Sequence, residues 1–413
     1  MKQKLLVALL MLLVTLSVCS CGDDDDDDND DDDQSDDDDM DDDSSDDDTA
    51  DDDTGQTWWI EPIHSMTGEI GEFMHTSIDL DSAEAPHVSF FTMNDTHNLS
   101  LATLDSNQWA IQQILIENDF RGFASFELDA NDHGHLAIQR NIITEKDNTD
   151  RALSYATDES GAWEIETLDI SDEYEWDIGK SASLAVDADN AVHISYQRIG
   201  LLAITNAGGQ WTEQGGDVCP QPEGSAGHFS SITTDADNQV HIAHGGCDAN
   251  NSCLRYVTSV GGWHGECVPN SEYRSNQSAI AVDQLGEVYL AFIQTIEEEK
   301  KTRKLYIAIK SDDNWTIEGI DPNISFFCRE LSDSYLGLDG DGNAHIAYTG
   351  LDDENNPVLK YATNASGEWV TEIVDPSPNS GIGASIAVDS EGYVHISYYD
   401  NGNSSLKYAT NRP

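Results

Sequence analysis

The chain has 413 residues, of which 80 are acidic and 19 basic, giving a formal net charge of −61. A surface of that sign repels phosphate backbones, so the composition argues against nucleic-acid binding. The folded part alone, residues 54–413, still carries 57 acidic against 17 basic side chains, which suits a salty or Ca²⁺-rich medium or a cationic partner.

The first 21 residues, "MKQKLLVALLMLLVTLSVCSC", have the pattern of an export signal. Lys2 and Lys4 precede an apolar run that ends at Val18, and small residues follow, as in a secretory signal peptide. The ending "VCSC" resembles the lipobox of bacterial lipoproteins, in which the last Cys is lipidated. That resemblance implies a signal peptide over residues 1–20, a lipid attached to Cys21, and a place in the bacterial cell envelope, at the outer membrane or the cell surface. The alternative is an ordinary secreted protein.

Residues 21–53 combine the lipidated Cys with an aspartate-rich tether. Between residues 23 and 53 there are 23 Asp and no cation. Like charges at this density prevent collapse onto a core, so the segment is predicted to be disordered and extended. It would hold the folded part off the membrane, with the lipid as the membrane contact. A loose sponge for divalent cations is the alternative. No other segment approaches the length of a membrane span.

Residues 54–413 contain seven copies of one phrase. Each copy has an alternating strand, an Asp, a short turn, and a His that opens a second alternating strand, as in "SLAVDADNAVHISY" and "SIAVDSEGYVHISY". The Asp stands six residues before the His position, which is a Tyr in the fifth copy. The pairs are Asp81 and His87, Asp129 and His135, Asp187 and His193, Asp235 and His241, Asp283 and Tyr289, Asp339 and His345, and Asp389 and His395.

The copies start about every 50 residues, and each contains four strand-like runs bounded by Gly, Asn and Asp turns. Four short strands at this period are typical of a propeller blade. We therefore predict an all-β fold over residues 54–413, a seven-bladed β-propeller with four-stranded blades. A β-sandwich array and a solenoid are the alternatives.

The last copy ends before its fourth strand. The six other copies carry Trp with Glu or Gln three residues later, whereas the seventh stops at "LKYATNRP". The folded region begins with "GQTWWIEPI", in which Trp58 and Glu61 have the same spacing. Pairing this N-terminal strand with the C-terminal blade completes the ring and leaves no open sheet edge. A solenoid would gain nothing from this displacement.

The regularity of the repeated residues favours a structural role for them. An Asp can end the first strand, a His can donate to a neighbouring turn or carboxylate, and the Trp is predicted to pack between blades. The stretch "DGDGN" resembles a Ca²⁺ loop through Asp339, Asp341 and Asn343, but it lacks the later carboxylates and the bidentate Glu. We therefore predict a turn there, with no cofactor and no metal, and keep bound Ca²⁺ as the alternative.

The fourth copy is unusually rich in Cys and His. Export favours disulfides over a metal site. Cys247 and Cys253 flank the loop "DANNS" and are predicted to bridge it, and Cys219 and Cys267 are predicted to join successive copies. A zinc or copper site is the alternative, although the His and Cys pairs three residues apart on a strand point to opposite faces.

The phrase "SIAVDSEGYVHISYYD" followed by "LKYATN" resembles the repeats of bacterial cell-surface propellers, often lipoproteins, that are grouped with sialidase-like or lectin-like repeats. The resemblance covers residues 55–413 and implies the architecture. The turns "TLDSNQW" and "TDESGAW" resemble a degenerate sialidase Asp-box. Sialidases also need three clustered Arg, a Tyr–Glu pair as nucleophile, and an Asp that acts as the acid. The nine Arg of the folded region are scattered over different strand positions, which disfavours sialidase activity.

The sequence as a whole favours a membrane-anchored binding module, a monomer that recognises a glycan or a surface protein of the envelope. The alternatives are a glycoside hydrolase or lyase with axial carboxylates, and a structural envelope protein. A lectin is expected to repeat equivalent pockets around the ring. An enzyme is expected to have one asymmetric axial pocket with paired carboxylates of perturbed pKa, and a structural partner a broad apolar patch. The sequence assigns no catalytic residue.

Overall fold

A computed structural model of the chain describes most of the folded region. The described residues are 57–66, 75–93, 97–117, 124–143, 149–170, 178–198, 200–217, 228–245, 253–271, 277–297, 302–312, 314–324 and 335–413. The predicted signal peptide (1–20), lipidated Cys21 and tether (21–53) lie outside these ranges. Within them, no helix has the length and apolar character that crossing a lipid bilayer requires.

The described residues form 28 strands in seven antiparallel sheets of four strands, and each sheet is one blade of a propeller. Blade one contains β2 (Ser77–Leu80), β3 (Pro86–Met93), β4 (His97–Asp105) and β5 (Gln108–Glu117). Blade two contains β6 (Ala124–Leu128), β7 (Gly134–Ile143), β8 (Thr149–Thr157) and β9 (Glu164–Ile170). Blade three contains β10 (Lys180–Val186), β11 (Val192–Gln197), β12 (Leu201–Thr205) and β13 (Thr212–Asp217). Blade four contains β14 (His228–Thr234), β15 (Val240–Gly245), β16 (Arg255–Thr258) and β17 (His264–Cys267).

The remaining three blades follow the same order, and the last one uses a strand from the other end of the chain. Blade five contains β18 (Gln277–Val282), β19 (Val288–Glu297), β20 (Thr302–Ser311) and β21 (Asn314–Asp321). Blade six contains β22 (Leu336–Leu338), β23 (Ala344–Leu351), β24 (Pro357–Thr363) and β25 (Val370–Asp375). Blade seven contains β26 (Ile382–Val388), β27 (Val394–Asp400), β28 (Ser405–Thr410) and β1 (Trp59–Ser65). The prediction of a seven-bladed propeller closed by the N-terminal strand is confirmed.

The repeated Asp holds the turn between the first and second strands of every blade. Its Oδ1 atom accepts the N–H groups of the residues two and four positions later, as Asp187 does from Asp189 (2.9 Å) and Ala191 (2.8 Å). The third residue after the Asp has a positive φ in all seven turns, which explains why Gly or Asn often stands there. These residues are Glu84, Asp132, Asn190, Asn238, Gly286, Gly342 and Gly392.

The core lies between adjoining blades rather than inside a single sheet. The second strand of a blade is covered on both faces, so every residue of β11, β15 and β27 is buried. The fourth strand forms the outer edge, and several apolar residues there, such as Ile170, remain exposed. Clusters therefore combine residues of two blades, as where Tyr361 of blade six packs in one group with Ile396 of blade seven.

The structure corrects the predicted disulfide pairs. Cys253 is bonded to Cys267, with 5.8 Å between the Cα atoms. The predicted bonds from Cys253 to Cys247 and from Cys267 to Cys219 are therefore wrong; Cys219 and Cys247 lie outside the described residues. The physical reason is the register of the hairpin. Cys267 of β17 lies opposite Arg255 of β16. Cys253 stands two residues before Arg255, so the register brings Cys267 close to it. The bond closes the hairpin within blade four.

Candidate functional site

In three blades the repeated His joins its Asp to a Tyr of the third strand, and in three others it makes one of these two contacts. In five blades His Nε2 lies within hydrogen-bond distance of Asp Oδ2, at 3.3 Å for His87, 3.0 Å for His193, 3.2 Å for His241, 3.3 Å for His345 and 3.4 Å for His395. In four blades Nδ1 meets a Tyr hydroxyl, with distances of 2.6 Å to Tyr155, 2.7 Å to Tyr256, 2.6 Å to Tyr361 and 2.5 Å to Tyr408. Blade five replaces the His by Tyr289, whose hydroxyl lies 3.5 Å from Glu287 Oε2.

Burial favours the neutral form of three of these histidines. It lowers the pKa of His241, His345 and His395 below the ordinary His value, although the adjacent Asp carboxylate opposes the effect. In a neutral ring, Nε2–H donates to the carboxylate and Nδ1 accepts from the Tyr hydroxyl. Burial also raises the pKa of Tyr256 to about 12, so the hydroxyl keeps its proton. The arrangement is a closed set of hydrogen bonds inside the fold.

The repeated Trp and Glu link neighbouring blades. In four places the indole N–H of one blade donates to the Glu of the preceding blade: Trp58 to Glu372 (3.0 Å), Trp109 to Glu61 (2.7 Å), Trp211 to Glu166 (2.7 Å) and Trp315 to Glu266 (3.1 Å). The same four Trp rings contact, edge to face, the Tyr of the preceding blade whose hydroxyl meets the repeated His. Trp58 and Glu61 therefore tie blade seven to blades six and one.

The predicted Ca²⁺ alternative occupies the same turn as the other copies. Asp339 Oδ1 accepts the N–H groups of Asp341 and Asn343, and Asn343 donates its amide to Asp339 Oδ2 at 2.8 Å. An amide that points its N–H at the carboxylate does not point its oxygen at a shared cation. The arrangement is that of the repeated turn.

A cavity of about 370 Å³ lies where the first strands of all seven blades meet, at the axis of the propeller. Serines on these strands connect the blades around it: Ser183 Oγ, for example, accepts the N–H of Ile232 in the next blade at 3.1 Å. Ser77, Ser125, Ser231 and Ser385 accept the corresponding N–H of their neighbours. The backbone of the inner strands is thus satisfied by the following or preceding blade.

Two carboxylates break the symmetry of this cavity. The residue that pairs across the strands with the repeated His, called the axial position below, is Asp79 in blade one and Glu127 in blade two. In the other five blades it is Ala185, Thr233, Ala281, Gly337 and Ala387. Asp79 and Glu127 both line the cavity, and the two blades that carry them are neighbours.

The surroundings of Asp79 favour its protonated form. Its Oδ2 accepts the N–H of Leu128 and its Oδ1 the N–H of Leu80, both at 2.8 Å. Burial outweighs these two bonds and raises the pKa of Asp79 to about 6. Glu127 Oε2 accepts the N–H of Val186 in blade three at 2.6 Å, so the next blade orients this carboxyl group. The site therefore pairs a carboxyl that titrates near neutral pH with a second acidic side chain.

Sequence reasoning missed Asp79 and Glu127, although the signal for them was present. Both stand two residues before the repeated Asp, where "SIDLD" and "SFELD" carry an acidic residue and "SLAVD" and "SIAVD" carry Ala. The position is not part of the shared pattern, because two adjacent copies carry an acid there and the other five carry an uncharged residue.

The fold and this cavity define a seven-bladed β-propeller with an asymmetric axial pocket. No family model matches the chain, and no curated protein matches it. Among solved structures, a polysaccharide lyase is similar, with 8% identity, a TM-score of 0.50, and coverage of 83% of this chain and 91% of the lyase. An α-L-arabinanase from Penicillium chrysogenum in complex with arabinobiose has 10% identity and a TM-score of 0.49 over 86% of this chain and 98% of its own. At such identities the likeness is one of fold.

Proposed function

We propose that this propeller is a glycoside hydrolase whose site is the axial cavity. The observation that carries the proposal is the pair of acidic side chains, Asp79 and Glu127, at the axial positions of two adjacent blades. A scaffold role shared by all blades would not require a carboxylate in two of them and small or uncharged residues in five. The enzyme alternative from the sequence is therefore favoured over a ring of equivalent binding pockets.

The two carboxyl groups suit the two roles of glycoside hydrolysis. One acid must protonate the departing glycosidic oxygen, and one carboxylate must act as base or nucleophile. Asp79, with its pKa raised to about 6, is the group that keeps a proton to near-neutral pH and takes the first role. Glu127, which accepts a backbone N–H through Oε2, takes the second.

The lining of the cavity favours an uncharged sugar chain. Among the described lining residues, none carries a positive charge, so nothing there balances the carboxylate of a uronic acid. The acidic surface of the folded region repels anionic polysaccharides as well. A volume of about 370 Å³ falls within the range of small-molecule pockets. The fold shared with a polysaccharide lyase supports carbohydrate as the class of ligand.

A second candidate function is binding of a glycan or a surface protein without turnover. It is favoured by the backbone N–H groups that both carboxylates already accept from the next blade, at 2.8 Å for Asp79 and 2.6 Å for Glu127. In that case the acidic pair would fix the blades and orient a ligand through hydrogen bonds.

The N-terminal sequence supports a proposal for the cellular place of this activity. We propose that Cys21 carries the lipid, that residues 22–53 form the tether, and that a monomeric propeller acts at the cell surface. Incorporation of labelled palmitate by the parent and its loss in Cys21→Ser tests the anchor.

The proposed activity is tested by release of reducing ends from a panel of uncharged polysaccharides. Asp79→Asn and Glu127→Gln are each expected to lower kcat/KM by at least about 100-fold, because general acid–base groups contribute that much. Glu164→Gln, an acid-to-amide change at an exposed residue outside the cavity lining, is the matched control and should retain the parent rate. The rate of the parent should fall as pH rises through about 6, where Asp79 loses its proton. Binding without turnover by the parent would favour the second candidate.

A further inference from the structure

Blade two contains a cluster of potential metal ligands at the turn between its first two strands. One ligand atom each of Asp129, His135 and Glu159 lies within 4.8 Å of the other two. His135 is fully buried and Asp129 is 7% exposed, whereas Glu159 is exposed. The three residues come from the repeated Asp, the repeated His and the turn that follows β8.

The buried His135 has a ring nitrogen that makes no hydrogen bond among the described residues. Its Nδ1 meets the Tyr155 hydroxyl at 2.6 Å, as in other blades, but Nε2 is unpartnered and lies 3.7 Å from Asp129 Oδ2. Asp129 Oδ2 is instead met by His133 Nδ1, from a histidine that the other copies lack, at 3.1 Å and by the Asn131 amide at 3.3 Å. An unpaired polar atom without exposure is costly unless something binds it.

In blade seven, the place that corresponds to the cluster of blade two is occupied by a positively charged side chain, that of Arg412. Asn411 there corresponds to Asp158, because each accepts the first N–H of the second strand through Oδ1. The next residue is Arg412 in blade seven and Glu159 in blade two. The guanidinium of Arg412 lies 3.0 Å from Asp389 Oδ2.

The same guanidinium also bonds Glu84 at 2.8 Å and Glu391 at 3.3 Å. It therefore fills the second acidic cluster, formed by Glu84, Asp389 and Glu391. Blade two has an acidic side chain where blade seven has this cation.

We propose that Asp129, His135 and Glu159 bind a divalent transition-metal ion, with Zn²⁺ as the representative. An imidazole nitrogen with two carboxylates suits Zn²⁺, whereas Ca²⁺ takes oxygen ligands only. Ligand atoms about 2.0–2.2 Å from Zn²⁺ are separated by roughly 3.3–3.6 Å in a tetrahedral site, close to the 3.7 Å between His135 Nε2 and Asp129 Oδ2. The proton of His135 then lies on Nδ1 and is donated to Tyr155, and solvent supplies the fourth ligand beside Glu159.

The site is independent of the proposed hydrolysis, and its test needs no substrate. The full chain is titrated with Zn²⁺ in a calorimeter, and with Co²⁺ followed by visible absorption, since a four-coordinate Co²⁺ ion absorbs much more strongly than hydrated Co²⁺ on carboxylates. Glu159→Gln removes an exposed ligand with little risk to folding. Glu164→Gln, an exposed Glu of the same blade that bonds Ser160, is the matched control.

One site per chain with the strong Co²⁺ spectrum is expected in the parent and in Glu164→Gln. Glu159→Gln should weaken that site by at least about tenfold, and His135→Gln should abolish the spectrum. Weak binding to many sites that is the same in the parent and in Glu159→Gln would overturn the proposal, because the aspartate-rich segment alone would then account for it. A strong Co²⁺ spectrum that survives in Glu159→Gln at full affinity would overturn it equally.

Discussion

Deletion of β1, Trp59–Ser65, is expected to destabilise the propeller by more than about 5 kcal/mol, enough to unfold a domain of ordinary stability. The strand pairs with β28 from Trp59 opposite Thr410 to Ser65 opposite Ser405. Its loss would expose the N–H and C=O groups of β28 and remove Ile63 from the core. The measurement is the thermal melt, which should lose its cooperative transition or move down by more than about 10 °C.

Two point variants of β1 separate packing from chain length. Ile63, which is 7% exposed, packs with Leu406 and Tyr408, so Ile63→Ala should cost about 2–4 kcal/mol. Trp59 on the same strand is 64% exposed, and Trp59→Ala should cost less than about 0.5 kcal/mol. Equal melts for the parent and the deletion would show that β1 does not close the ring.

Most of the fold could be predicted from the sequence because each blade repeats the same local chemistry. The Asp that accepts two backbone N–H groups must stand at a fixed position in its turn. The spacing of six residues between this Asp and the His of the second strand is therefore visible in the sequence. The role of Trp58 and Glu61 in the last blade was predictable for the same reason, because their spacing matches that of the other copies. Their partners were not, since Trp58 donates to Glu372 across 314 residues of sequence.

The candidate sites were not predicted, because each depends on how strands are brought together. Asp79 and Glu127 become a pair only when blades one and two adjoin at the axis. The Cys253–Cys267 bond follows from the register of one hairpin, in which the partner of Cys267 is Arg255. The metal cluster needs Glu159 from a turn beyond the third strand. In all three cases the informative residues are those that differ between copies, and their meaning depends on contacts between elements.

Relative to the parent, Asp79→Asn is expected to be more stable at pH 8 than at pH 4. The same substitution is expected to remove the proposed activity. A carboxyl whose pKa is raised from 3.8 to about 6 binds a proton more tightly in the folded state than in the unfolded state. The parent therefore gains stability as pH falls from about 6 to 3.8, and loses it again as pH rises through 6. The variant has no proton to bind. The difference in unfolding free energy, variant minus parent, should be larger at pH 8 than at pH 4 by about 2–3 kcal/mol.

Urea denaturation of both proteins at pH 8 and pH 4 measures this difference. The buried histidines of the blades, whose lowered pKa values make both proteins less stable as pH falls below the ordinary His range, contribute equally and cancel. Thr233→Ala should show no such pH-dependent difference. If the Asp79→Asn difference is the same at both pH values, Asp79 is an ordinary ionised carboxylate held by Leu80 and Leu128. The cavity would then lack the proton donor that hydrolysis requires, and the acidic pair would serve to join the blades and bind a ligand.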